Sequence, residues 1–143
     1  MLVLALLLGA ARPGCAQPAR LEAPVGAIRS AVLASDVRGF LRCFEGGRPI
    51  FIRIPPLERG AFLGPGQLES FVRRLLAERD TVAFEVADVP EPRADAGQMF
   101  VKAVWTYRTS ASSTLQVDHV HLVLSHEPER ARWLIVELKA ASR

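Results

Sequence analysis

Apolar and polar residues alternate with period two over the last third of the chain and recur every three to four residues over much of the first half. The first pattern predicts half-buried strands and the second amphipathic helices. Residues 98–109 put Val101, Ala103, Trp105 and Tyr107 on one face and Phe100, Lys102, Val104, Thr106 and Arg108 on the other. Their β-branched and aromatic content supports a strand. The small polar link at 110–113 predicts a hairpin loop of three to five residues between Tyr107 and Leu115. In residues 114–125 the apolar positions change parity, from Leu115 and Val117 to Val120, Leu122 and Leu124. A strand changes face only by adding a residue, so a β-bulge is predicted near residues 118–119. Glu127, Pro128 and Glu129 predict a turn, because proline cannot continue the ladder. A closing strand over 132–140 then carries Leu134, Val136 and Leu138 on its core face and Trp133, Ile135, Glu137 and Lys139 on the other.

Three strands need something packed on their apolar face, and the first half supplies it. Leu21, Val25, Ile28 and Val32, with Leu33, form one helical stripe. Asp36 is placed to N-cap a second short helix with the stripe Val37, Phe40, Leu41 and Phe44, stopped by Gly46 and Gly47. Residues 49–54 read as a short strand with Ile50, Ile52 and Ile54 on one side, ended by Pro55 and Pro56, and residues 57–63 as a connection. Gly64, Pro65 and Gly66 open the clearest helix. Leu68, Phe71, Val72, Leu75 and Leu76 are its buried stripe, and Arg73, Arg74, Glu78 and Arg79 its wet face. Asp80 ends it, residues 81–89 form a strand with Val82, Phe84 and Val86 inward, and residues 90–97 form a polar loop. Helices before strands, with the helices gathered on one face of a strongly curved, mostly antiparallel sheet, is an α+β layout.

The chain has 143 residues, the size of one domain. Its start, MLVLALLLGAA, is too short to span a bilayer as a helix and suits the apolar core of a secretory signal, although no basic residue precedes Leu2. Gly14 and Ala16 supply small residues for cleavage before Gln17, so residues 1–16 read as a signal peptide and 17–143 as a single α+β domain. The expected location is the periplasm or the exterior. Cys15 after Gly14 has part of a lipoprotein signal, but Arg12 stands where an aliphatic residue is preferred. Membrane attachment is expected only if Cys15 carries lipid. Loss of residues 1–16 removes Arg12 and leaves 17 basic against 15 acidic residues, too balanced for nucleic acid. Cys43 then has no partner for a disulfide and reads as a buried, inert thiol.

The segments LRCFEGGRPIFIRIP and GAFLGPGQLESFVRRLLAERDTVAFEVAD, with the strand triplet ending WLIVELKA, resemble the nuclear-transport-factor-two-like superfamily. The resemblance is to its small exported bacterial members of unknown function, and it covers residues 21–140. It implies a cystatin-like cone, three helices wrapped by a bent sheet with a cavity between them. Its enzymes place an Asp, His or Tyr inside the cone, and its members often pair through their sheets. No catalytic motif of the superfamily matches residue for residue, and fold does not license a reaction.

The candidate site residues are therefore those that could line such a cavity: Trp105, Tyr107, Asp118, His119 and His121. Asp118 is disfavoured in mid-strand, and if buried it needs a partner or a raised pKa; the bland reading puts it at a bulge facing water. His119 and His121 share a strand face, but zinc needs three or four ligands, and Asp118 points away from them. They read as polar residues of the outer sheet face, and no metal or cofactor is expected. Arg53 and Arg108 read as solvated strand charges. Phe100, Val104, His119, His121, Trp133 and Ile135 would make that outer face apolar enough to suggest a homodimer. The expected function is an exported, non-enzymatic module binding a small apolar ligand or an envelope protein. The alternative is a cofactor-free lyase or isomerase in which Asp118, Tyr107 or His121 transfers a proton.

Overall fold

The computed structural model describes residues 22–55, 57–89 and 97–142. The predicted signal segment with Cys15, residues 17–21, Pro56 and most of the polar loop lie outside them. The elements run α1 (Glu22–Leu33), α2 (Val37–Leu41), β1 (Ile50–Arg53), β2 (Ala61–Leu63), α3 (Pro65–Glu78), β3 (Arg79–Asp88), β4 (Gln98–Thr109), β5 (Ser112–Glu127), a 3₁₀ turn (Pro128–Arg130) and β6 (Arg132–Ser142). Six strands make one curved, unclosed sheet in the order β2-β1-β6-β5-β4-β3. All pairings are antiparallel except β1 with β6. The three helices cover one face, as the α+β reading expects.

The helices form where the stripes indicated. Val25, Ile28 and Val32 are buried, while Leu33 is turned out. Asp36 caps α2, its Oδ1 accepting from Gly39 N–H at 2.9 Å. Phe40 and Phe44 are buried edge to face, 5.0 Å between centroids. Pro65 opens α3, and Gln67 Oε1 accepts from Gly64 N–H at 3.0 Å. The Glu69–Arg73 pair forms at 2.9 Å. Leu68, Val72, Leu75 and Leu76 are buried, whereas Phe71 is partly buried and packs against the core.

Five expectations change. The stretch 57–63 contains β2, a three-residue strand hairpinned onto β1, which AFL was too short to signal. The β4–β5 link is tighter than expected, since Thr109 already pairs with Ser112. The predicted bulge at 118–119 is absent: β4 and β5 stay in register from Gln98–Ser125 to Tyr107–Gln116. Leu115 and Val117 are exposed on the outer face, and the even positions of β5 face the core throughout. The bulge lies in β6 instead, where Val123 pairs with Glu137 but Leu124 pairs with Ile135. The extra residue, Val136, reverses the strand's phase, so Trp133, Ile135, Leu138 and Ala140 all join the core. A second irregularity, at Thr81/Ala83, leaves Val82 exposed and brings Thr81 and Phe84 to the same face.

Cys43 follows α2, its Sγ donating to Gly39 O at 3.4 Å. Burial raises its pKa from 9.0 to about 11, with Arg42 lowering and Asp36 raising it. At pH 8 the thiolate fraction falls about 100-fold below that of an exposed thiol. In a Cys15→Ser background, Ellman's reagent should therefore modify Cys43 about 100-fold more slowly in native protein than in urea. Equal rates would mean that the thiol is not shielded.

Candidate functional site

Asp118 sits on the core face of β5 because the even-numbered face of that strand is continuous. It pairs with Trp105 on β4 and Ser142 on β6, and Tyr107 is one inward position further along β4. Arg79 reaches the same place from the other side. α3 gives way to β3 without a linker, so Arg79 is at once the helix C-cap and the first strand residue. It was expected on the wet face of the helix, but strand alternation turns it inward instead.

Arg79 and Asp118 are the buried charged residues among those described, 6% and 0% exposed. Arg79 Nη1 donates to Asp118 Oδ2 at 2.7 Å and Tyr107 Oη donates to the same oxygen at 3.2 Å. Ser142 Oγ donates to Asp118 Oδ1 at 3.0 Å. The guanidinium carbon lies 4.0 Å from the Tyr107 ring centroid and 4.5 Å from that of Trp105, a cation–π arrangement on two rings. Trp105 Nε1 donates to Thr81 Oγ1 at 3.0 Å, which holds the indole in place. Two buried charges are tolerated because each is paired and the carboxylate receives three donors. Burial raises the pKa of Tyr107; Arg79 opposes the rise and Asp118 adds to it. The phenol is therefore a donor at neutral pH.

Above this cluster opens a cavity of about 640 Å³, bounded by α3, the β1–β2 connection and the adjoining ends of β3 and β4. Arg79 and Tyr107 form its polar floor, and Pro55, Leu57, Phe71 and Leu75 its apolar wall. Glu58, Arg74 and Glu78 also line it, with Arg74 and Glu78 paired at 2.7 Å. Asp118 lies beneath the floor. With Nη1 given to Asp118, the other guanidinium N–H groups remain for an acceptor in the cavity.

Trp105, Tyr107 and Asp118 thus come together, although only Tyr107 lines the cavity. His119 and His121 do not: they lie across from Val104 and Lys102 on the outer face. His126 stacks near Trp133 at 4.9 Å between rings. No three His, Cys, Asp or Glu side chains among the described residues are grouped as metal ligands. Sequence reasoning missed Arg79 and Ser142. Arg79 could have been found from the absence of a glycine or asparagine stop after Glu78, which lets the strand begin two residues earlier than Thr81.

No family model and no curated protein matches the sequence. Solved structures do share the fold. A ketosteroid isomerase-like protein from Erwinia carotovora atroseptica is 16% identical, with a TM-score of 0.67 over 89% of this chain and 96% of its own. A protein of ketosteroid isomerase-like fold from Catenulispora acidiphila, in complex with trimethylamine, is 16% identical, with a TM-score of 0.62 over 84% and 85%. A candidate dehydratase of the NTF2-like family from Streptomyces avermitilis is 12% identical, with a TM-score of 0.63 over 87% and 94%. The likeness is one of fold.

Proposed function

We propose that this chain, which has the nuclear-transport-factor-two-like fold, is an exported binding module whose cone holds a small, mainly apolar ligand. The ligand presents one neutral oxygen acceptor, such as a carbonyl, to Arg79. One observation carries the reading: the cavity joins an apolar wall to a donor floor whose positive charge Asp118 already cancels. A neutral acceptor gains a charged donor there without a second anion beside Asp118. Export rests on the leader-like residues 1–16.

The rival reading, a cofactor-free lyase or isomerase, draws on the isomerase-like and dehydratase names among the fold neighbours and on the convergence of Arg79 and Tyr107. Proton abstraction needs a free acceptor near the substrate. At the floor Asp118 already receives three donors and the phenol is held protonated, so that reading would have to use Glu58 on the cavity lining as its base.

A neutral naphthyl ketone such as prodan is the direct probe. Its emission should shift to the blue and saturate with added protein. Ser70→Trp, at an exposed position on the cavity lining, should weaken binding by about tenfold or more by filling the site. Saturable binding that Ser70→Trp leaves intact would place the ligand elsewhere. Ketone turnover that Tyr107→Phe abolishes would favour the enzyme.

A further inference from the structure

Two rows of side chains cross the sheet on the face turned away from the helices. Their members are scattered in sequence, and strand register brings them into line. In the first row Phe62 is opposite Phe51, Phe51 opposite Glu137, Glu137 opposite Val123, and Val123 opposite Phe100. Phe62 and Phe100, at its two ends, are each 70% exposed. In the next row on the same face Arg53 is opposite Lys139, Lys139 opposite His121, and His121 opposite Lys102. With strands about 4.8 Å apart, the basic row spans about 14 Å, and it lies about 7 Å from the aromatic one. Glu137 is tied to Lys139, whose ammonium also lies 5.4 Å from the Phe51 ring centroid. In strand register Asp88 stands opposite Lys102 at the far end.

We propose that this face docks on an anionic phospholipid surface. Phe62 and Phe100 enter the boundary between headgroups and acyl chains, and Arg53 and Lys102 meet lipid phosphates. A lipid leaflet offers negative charge at one depth and apolar material a few ångströms deeper, the same pairing that the two rows present. The lysine and arginine stems let their charged ends stay at the phosphates while the rings go deeper. A second copy of the chain would satisfy the phenylalanines, but it would bring another basic row into the contact. Glu137, the acid described within these rows, is already engaged. No helix among the described residues is long and apolar enough to cross a membrane.

Co-sedimentation of the full chain with vesicles tests this. Vesicles of equal parts phosphatidylglycerol and phosphatidylcholine should bind it about tenfold or more tightly than phosphatidylcholine alone, and 0.5 M salt should erase much of the difference. Arg53→Gln/Lys102→Gln should lower partition to the anionic vesicles about tenfold or more, as should Phe62→Ser/Phe100→Ser. Residues 1–21 are the same in every protein compared, so any pull from the apolar leader is common to all. The substituted positions are exposed, and unchanged thermal melts would confirm that the fold is kept. Equal binding to both vesicle types, or anionic-vesicle binding that neither double variant weakens, overturns the proposal. So does a dimer that Phe62→Ser/Phe100→Ser splits without any effect on lipid, which would assign the face to a second copy.

Discussion

Asp118→Ala should cost roughly 3–5 kcal/mol of folding stability, because it strands a buried guanidinium without its counter-ion. Arg79 is 6% exposed and has no other carboxylate partner among the described contacts. The same change leaves the Tyr107 and Ser142 hydroxyls without their acceptor. Urea unfolding followed by circular dichroism gives the number directly. Two companion variants separate causes. Asp118→Asn keeps the shape and some hydrogen bonds but not the charge, so it should still lose most of the stability. Arg79→Met/Asp118→Leu removes both charges together and should recover most of the loss, since apolar replacements of a buried pair are often neutral or stabilising. A cost below about 1 kcal/mol for Asp118→Ala, the range of an exposed pair, would mean that water reaches the cluster.

Trp105→Ala should be comparably damaging, at roughly 3–5 kcal/mol. The indole is 1% exposed, meets Phe84 edge to face at 5.9 Å and the tilted Tyr107 ring at 5.8 Å, and forms one wall of the Arg79 site. Its removal deletes core volume and one of the two rings facing the guanidinium. Phe100, on the same strand but the opposite face, is the control: 70% exposed, it should change stability by no more than about 0.5 kcal/mol on truncation. Comparable losses at the two positions would contradict the assignment of faces to β4.

Periodicity revealed much of this architecture before any coordinates. β4 alternates cleanly because one face is dry and the other wet, so Trp105 and Tyr107 were correctly placed inward. α3 was legible for a similar reason, with a proline start and one apolar stripe. What failed were positions where a long-range partner overrides local preference. Leu115 and Val117 are hydrophobic yet exposed, and Asp118 is charged yet fully buried; together they imitate a change of face. The counter-ion that makes the inward carboxylate tolerable, Arg79, is 39 positions away, and no local pattern couples the two. Trp133 and Ile135 were assigned to the wrong face for a different reason. An inserted residue in β6 shifts alternation by one, and a stretch as uniformly apolar as WLIV carries no polar marker to show where. The candidate site was accordingly half legible: its phenol, indole and carboxylate were identified, but the cation that organises them was not.

The pairing of β1 with β6 also constrains how the chain reaches this shape. β1 must find a strand about 85 residues later, so the buried isoleucines around it lack their cover until β6 is in place. The bridge from Phe44 to Ile135 is subject to the same delay. Contacts this remote slow folding and leave apolar surface uncovered in the meantime. A form of the chain in which β6 has not yet docked is thus the one most exposed to aggregation.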